Sequence, residues 1–256
     1  MKMNKGTLVW LLLGGALLGT AQSQERILFV GNSFTFYYNI PTTVQQMAKA
    51  KGLEWDVYQS TAGGASLKDH WLGNKALHTV NTLEEQSFSK IIFQDLSSNP
   101  LVAIDSTAKY LRLLQSKIQN RPEQYLYASW AYSGIAGQPL DGPLNSIPIE
   151  DALQSKAVSG EQVVAVGRAF DLFRVRYPQI ELLSDDAKHT NPNGSYLAAC
   201  VFFAKLSGQS AKGLPRREEG RDRNGKKIFY FIVQADVAKK CQAVADAIVF
   251  SKGQKE

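Results

Sequence analysis

The chain has 256 residues, of which 44% are hydrophobic and 20% are charged, and its formal net charge at pH 7 is +6. This length predicts one α/β domain with a single core and is short for two ordinary domains. The positive excess is small, and basic and acidic residues alternate between 212 and 227. This mixture is typical of a solvated loop and excludes a basic face that would bind nucleic acid.

The first 23 residues have the pattern of a secretory signal peptide. Two lysines precede the apolar run 8–18, and Ala21-Gln22-Ser23 fits a cleavage site between small residues. The run is too short and too rich in glycine to favour a membrane span, and no cysteine near the cleavage site could carry a lipid. We therefore expect a mature chain of residues 24–256, secreted or periplasmic, with no stable membrane anchor.

Short apolar runs alternate with helical patterns from residue 27 onward. The predicted strands are 27–30, 54–58, 90–93, 124–129 and 162–166. The predicted helices are 41–50, 106–119, 168–177, 195–206 and 235–250. This alternation predicts a central five-stranded parallel sheet between two layers of helices, an α/β/α sandwich.

Two stretches lack this periodicity. Residues 133–148 are rich in glycine and proline and are predicted to form a surface loop beside the carboxyl edge of the sheet. Residues 213–233 contain Asn224-Gly225 ahead of a β-rich segment, which indicates a small appended hairpin. Cys200 and Cys241 both lie in apolar helical patterns, where they could form a disulfide or remain two buried thiols.

Ser33 is the first candidate for chemistry. It follows the apolar strand and Gly31-Asn32, so a sharp turn would leave its hydroxyl at the carboxyl edge of the sheet, where ligands bind in open α/β folds. A serine hydroxyl becomes a nucleophile only when a base removes its proton. Taken alone, Ser33 is more typical of a turn or a helix cap. Thr35 replaces the second glycine of a Gly-x-Ser-x-Gly elbow, which excludes that motif.

His189 is the candidate base, because it lies in a polar loop directly ahead of a predicted helix. An aspartate three residues earlier can accept its Nδ1 proton and present Nε2 to a serine, which favours Asp186, with Asp185 as the alternative. A loop histidine that caps the next helix is the structural alternative. His70 and His78 are predicted to lie in an exposed helix and loop. Because the histidines occupy separate segments, the sequence predicts no metal site, and nothing in it indicates a cofactor.

In this order, Gly31-Asn32-Ser33-Phe34 and Asp186-Ala187-Lys188-His189 resemble the first and last motif blocks of the SGNH (GDSL-like) hydrolases. The resemblance implies a flavodoxin-like sandwich and a triad of Ser33, His189 and Asp186. It also implies an oxyanion hole made by the Ser33 N–H, a glycine of the segment 61–66 (Gly64, or else Gly63) and a side-chain amide. The family's third block, Gly-x-Asn-Asp, is altered here, so Asn99 or Gln94 would supply that amide. Asn32 replaces the aspartate of many members.

The resemblance and the leader together predict an exported serine esterase that removes small acyl groups, such as O-acetyl, from carbohydrate. The alternatives are a lipase or lysophospholipase on the same fold, and a glycan-binding protein that has lost the chemistry. The aromatic residues near the strand ends are candidates for a surface that stacks on sugars: Tyr37, Trp71, Trp130 and Tyr132. The sequence does not predict an oligomeric state.

Overall fold

A computed structural model describes residues 24–139 and 143–251. Its centre is a parallel five-stranded sheet with the order β2-β1-β3-β4-β5. The strands are β1 (Glu25–Gly31), β2 (Trp55–Thr61), β3 (Lys90–Phe93), β4 (Glu123–Ala128) and β5 (Gln162–Ala165). All five predicted strands are present, each with its ends within three residues of the predicted ones, and the predicted parallel sheet is confirmed.

Helices cover both faces of the sheet. They are α1 (Ser33–Phe36), α2 (Ile40–Ala50), α3 (Leu67–Leu72), α4 (Thr79–Glu85), α5 (Asn99–Val102), α6 (Ile104–Gln115), α7 (Ile147–Gln154), α8 (Val166–Arg176), α9 (Pro192–Ser207) and α10 (Ala235–Phe250). Side chains of α2, α8, α9 and α10 form the core on one face, and those of α3, α4, α6 and α7 form the core on the other. This confirms the predicted α/β/α sandwich.

The interior strand β1 shows why the sheet is buried on both sides. Ile27 and Phe29 belong to one core, whereas Leu28 and Val30 belong to the other. A strand between two helical layers needs apolar side chains at every position, which is why this segment reads as an unbroken apolar run. The run ends at Gly31, where the chain leaves the sheet at its carboxyl edge.

The short helices are where the sequence pattern was least informative. Helices α3, α4 and α7 have six to eight residues, so they contain too few turns to establish a helical period. Helix α7 begins at Ile147, with Pro148 in its first turn, inside the stretch that we predicted to be a loop. The prediction that His70 is exposed was wrong, because its side chain faces inward from α3 and is fully buried.

A two-stranded antiparallel hairpin, β6 (Arg217–Arg221) and β7 (Lys227–Ile232), lies within the segment 213–233. Strand β7 contacts α2, α9 and the 3-10 turn Tyr37–Asn39 that follows α1. The hairpin therefore lies on the same side of the molecule as the segment after Ser33. Cys200 and Cys241 are both buried free thiols, so of the two alternatives the structure has the unbridged one.

The predicted signal peptide, residues 1–23, lies outside the described residues. Among the residues that are described, no helix has the length and apolar character needed to cross a membrane.

Candidate active site

Ser33 lies where β1 ends, and the tight packing around this turn explains the glycine before it. A Cβ atom on Gly31 would lie 2.4 Å from Thr35 Oγ1 and 2.7 Å from Gln94 Oε1, closer than real contacts allow. The missing side chain of Gly31 thus permits close packing of the turn, and helix α1 begins immediately at Ser33. The Ser33 side chain is placed at the carboxyl edge of the sheet.

The structure brings Ser33, His189 and Asp186 into one hydrogen-bonded line. Ser33 Oγ lies 2.8 Å from His189 Nε2, and His189 Nδ1 lies 2.5 Å from Asp186 Oδ2. The serine and the histidine are 156 residues apart in the chain. The carboxylate that contacts the imidazole is that of Asp186, not that of its neighbour Asp185. This is the arrangement in which a histidine can accept a serine proton while a carboxylate fixes its tautomer.

The loop of Asp186 and His189 is held by backbone contacts. Asp186 Oδ1 accepts hydrogen bonds from the backbone N–H groups of Lys188 (3.0 Å) and His189 (2.9 Å). Ala187, between them, has a left-handed φ of 53°, which allows the chain to fold back on the aspartate. The hydrogen bond from the His189 ring lowers the pKa of Asp186 to about 2, so this carboxyl group is ionised at neutral pH.

Aromatic rings fix the orientation of the imidazole. The Tyr37 ring stacks on His189 with a centroid distance of 4.2 Å, and Phe34 meets the imidazole edge-on at 5.5 Å. Phe34 stacks in turn on Trp130, whose Nε1 donates to the backbone carbonyl of Lys188 at 2.9 Å. The imidazole is therefore held between the Ser33 turn and the end of β4 by rings as well as by hydrogen bonds.

Asn32 joins three loops around Ser33. Its Oδ1 accepts from the Phe34 N–H at 3.1 Å, and its Nδ2 donates to the carbonyls of Ala65 (2.9 Å) and Asp95 (3.2 Å). An aspartate could not donate to these two carbonyls, so the asparagine at this position fits its neighbours in this chain. The contact to Ala65 brings the segment 61–66 beside the serine.

Backbone donors are available near the serine hydroxyl. Within the described parts of the chain, the backbone N–H groups of Ser33, Gly63 and Gly64 donate no hydrogen bond. Gly64 has a left-handed φ of 61° and is exposed, and its segment leads directly into α3. These N–H groups are the type of donor that stabilises a developing oxyanion.

The two candidate side-chain amides have different surroundings. Gln94 is buried. Its Oε1 accepts hydrogen bonds from the Asn32 N–H (3.0 Å) and from Thr35 Oγ1 (2.9 Å). Its Nε2 donates a hydrogen bond to the Asp95 carbonyl (2.9 Å). The half-buried Asn99 has one contact, from its Nδ2 to Asp95 Oδ1 at 3.2 Å. Gln94 thus supports the Ser33 turn through its Oε1, and in each of the two amides one of the two N–H hydrogens is engaged.

Asp95 and His70 are the residues of this region whose roles were not predicted. The Asp95 carboxylate accepts from the Leu67 N–H at 2.8 Å and from Thr107 Oγ1 at 2.5 Å, which links α3, the β3 loop and α6. His70 Nε2 lies 3.0 Å from the Gly31 carbonyl, and Nδ1 lies 2.6 Å from Thr79 Oγ1. The sequence signal that could have found Asp95 is a charged residue two positions after an apolar strand. No such signal marks His70.

The predicted aromatic surface is wrong for Trp130, which is completely buried between Phe34 and Phe170. Tyr37 covers the imidazole, as described above. Tyr132 is half-buried; its hydroxyl lies 3.1 Å from Ser97 Oγ, and the Lys188 ammonium lies 5.1 Å from its ring centroid. In the described residues, no group of three or more His, Cys, Asp or Glu side chains is arranged to hold a metal ion.

No protein-family model and no curated protein matches the sequence. Solved structures do match it. A DUF4886 family protein from Bacteroides uniformis aligns over 89% of this chain and 96% of its own, with a TM-score of 0.68 and 19% identity. A candidate SGNH hydrolase from Slackia heliotrinireducens aligns over 72% of this chain and 100% of its own (TM-score 0.60, 25% identity).

The psychrotrophic esterase EstA from Pseudoalteromonas sp. also matches, over 72% of this chain and 98% of its own, with a TM-score of 0.51 and 12% identity. These matches confirm the resemblance predicted from the two motif blocks: the chain has the fold of the SGNH hydrolases.

Proposed function

We propose that this protein is an exported serine esterase that hydrolyses small-acyl esters, O-acetyl groups on carbohydrate being the expected substrates. The observation that carries the proposal is the line from Ser33 Oγ through the His189 ring to the Asp186 carboxylate, with distances of 2.8 and 2.5 Å. A protein that only binds glycans has no need of a serine hydroxyl paired with an oriented imidazole. The arrangement therefore favours the enzyme over the non-catalytic alternative.

In the proposed reaction, Ser33 Oγ attacks the ester carbonyl carbon while His189 Nε2 accepts the hydroxyl proton. The carbonyl oxygen becomes negative, and the N–H groups of Ser33 and Gly64 with the Asn99 amide stabilise it. The C–O bond to the alcohol then breaks, and the alcohol leaves with the proton from His189. A water molecule, deprotonated by His189, releases the acid from Ser33 by the same steps in reverse.

Asp186 has a charge-stabilising role in this scheme. Because its pKa is about 2, the Asp186 carboxyl group is ionised at neutral pH. It therefore stabilises the imidazolium that forms when Ser33 attacks. Its backbone contacts to Lys188 and His189 keep it in place during the cycle.

The substrate class and the location are inferred from the family resemblance and from the leader at 1–23. A lipase or lysophospholipase with an apolar lid is less well supported, since the stretch 133–148 has few large apolar residues. EstA is described as an esterase, which agrees with an ester substrate. Recovery of the protein outside the cytoplasm with Gln24 as its first residue would support export and cleavage. Retention in the cytoplasm with the leader intact would contradict export, and an exported protein with an intact leader would contradict the cleavage.

The test of the activity is hydrolysis of p-nitrophenyl esters of increasing chain length. We expect acetate to be preferred over long acyl chains, and Ser33→Ala to lower kcat by about a thousand-fold or more with an unchanged circular-dichroism spectrum. Ser116→Ala, a surface serine at the end of α6, serves as the control and should retain full activity. Retention of most of the activity by Ser33→Ala would refute the nucleophile, and preference for long chains would favour the lipase.

A further inference from the structure

A cavity lies beside the candidate active site, between the β6–β7 hairpin and the turn after α1. It has a volume of about 240 Å³. Aromatic rings, a proline and polar side chains line it, among them Tyr38, Asn39, Thr43, Pro192, Phe229 and Tyr230. Tyr38 and Phe229 are 47% and 45% exposed, so the two rings are accessible to a ligand.

This cavity is directly connected to the catalytic loop. Tyr37, whose ring stacks on His189, immediately precedes Tyr38. At the base of the cavity, Ser195 Oγ lies 2.6 Å from Thr190 Oγ1 and 3.4 Å from the Tyr37 carbonyl. Two neighbours of the imidazole, the stacked Tyr37 and the following Thr190, thus adjoin or contact residues that line the cavity.

The backbone here is held in an uncommon conformation. Tyr38 and Asn39 have φ angles of 48° and 55°, which residues other than glycine rarely adopt. Such positions persist only where surrounding packing imposes them, and they concentrate at ligand sites. Here α9 and β7 pack against the turn. The result is that the Tyr38 ring is directed outward, beside the hairpin.

The polar groups of the cavity indicate the chemistry of its ligand. Thr43 lines the cavity, and its hydroxyl makes no hydrogen bond with the described residues. The exposed Asn39 amide makes none with them either. Rings that offer an apolar face, next to an amide and a hydroxyl that are free to bind, fit a sugar ring, which has an apolar C–H face and hydroxyls at its edge. An acyl chain would leave the Thr43 hydroxyl unsatisfied.

The charges around the cavity favour a neutral sugar. The Arg217 guanidinium lies 4.7 Å from the Phe229 ring centroid, and Lys227 Nζ lies 5.9 Å from it. Both cations pair with Glu219, at 3.0 and 2.6 Å. The positive charges are thus neutralised within the hairpin and do not offer a site for a carboxylate or sulfate.

We propose that this cavity is a subsite for a neutral sugar ring of the glycan whose acyl group reaches Ser33. The inference rests on the proposed esterase function, because it assigns the subsite to the same substrate. It gives the hairpin a role in substrate selection and places the sugar-binding rings at Tyr38, Phe229 and Tyr230.

The test measures binding by the Ser33→Ala protein, which should hold its substrate without cleaving it. The probe is an array of neutral oligosaccharides, with and without O-acetyl groups. Added to Ser33→Ala, Phe229→Ala should raise the Kd for the bound glycan about tenfold, and Thr43→Val should raise it several-fold without lowering Tm. Ile228→Ala is the matched control: it removes an exposed apolar side chain of the same strand that does not line the cavity.

The subsite proposal would be refuted if the protein bound no neutral glycan. It would also be refuted if Phe229→Ala and Thr43→Val left the Kd for the bound glycan unchanged. Hydrolysis of p-nitrophenyl acetate by the wild-type protein separates this failure from that of the proposed function. If the wild-type protein cleaves that ester but binds no glycan, the esterase stands and the subsite is refuted. If it binds glycan through Phe229 and Thr43 but cleaves no ester, the subsite stands and the esterase is refuted.

Discussion

The two sides of the Ser33 turn use the same residue type in opposite ways. On the exposed side, His189 extends from a polar loop to the Ser33 hydroxyl and has Asp186 behind it. On the buried side, His70 binds the carbonyl of Gly31 from inside the core. The first histidine can exchange protons with a substrate, whereas the second supports the backbone. The difference shows that partner and burial, not residue type, decide what a histidine does.

Burial also determines the protonation state of the inner histidine. Burial lowers the pKa of His70, although its hydrogen bond to Gly31 acts in the opposite direction. A neutral ring that donates from Nε2 to the Gly31 carbonyl must accept at Nδ1, so Thr79 Oγ1 donates to it. Gln94 and Asn32 complete this buried side with contacts that all fix the turn. We therefore expect changes on the exposed side to affect rate, and changes on the buried side to affect stability.

The largest expected effect is on the exposed side. Asp186→Asn removes the charge that stabilises the imidazolium and should lower kcat by about 10⁴-fold, with little change in Tm because this carboxylate is half-exposed. Asp185→Asn should keep kcat within about twofold. The measurement is kcat for p-nitrophenyl acetate together with thermal melts. If Asp185→Asn caused the loss instead, the assignment of the acid would be wrong.

A pair of amide substitutions compares the two sides directly. Gln94→Ala leaves the Asn32 N–H and the Thr35 hydroxyl without their buried acceptor and should lower the free energy of unfolding by about 2–4 kcal/mol. Asn99→Ala should lower kcat by about a hundred-fold, with KM almost unchanged, if Asn99 donates to the oxyanion. Urea unfolding and steady-state kinetics on both variants would check this. A stable Gln94→Ala protein with a reduced kcat would instead identify Gln94 as the oxyanion donor.

The smallest effect concerns the pH dependence of stability. The pKa of His70 in the folded chain lies below 6.5. At pH values between that pKa and 6.5, the unfolded chain therefore binds a proton that the folded chain does not. Stability should therefore fall as the pH drops below 6.5, with a slope from this group of at most about 1.4 kcal/mol per pH unit. His70→Gln should remove this part of the slope. Urea unfolding of both proteins between pH 7 and 5 measures it, and parallel curves would show that His70 does not contribute.

The sequence alone was sufficient to predict the structural features that depend on residues close together in the chain. Four consecutive apolar residues predict a strand buried on both faces, and the alternation with helical patterns predicts the parallel sheet. The spacing of Asp186 and His189 is local as well, because a fold-back over three residues brings the carboxylate to the ring. These features follow from side-chain periodicity and from short-range geometry.

Tertiary structure decided the features that depend on residues far apart in the chain. The pattern of residues 67–78 predicts an exposed segment, yet His70 is buried because the carbonyl of Gly31, 39 residues earlier, offers it a partner. Trp130 is predicted near the sheet edge, but packing between Phe34 and Phe170 removes it from the surface. Likewise, only the folded chain shows that Gln94 supports the turn, that Tyr37 covers the imidazole, and that the hairpin encloses a cavity beside Tyr38. The periodicity of the sequence indicates which side chains are buried. Which groups they contact depends on how segments far apart in the chain pack together.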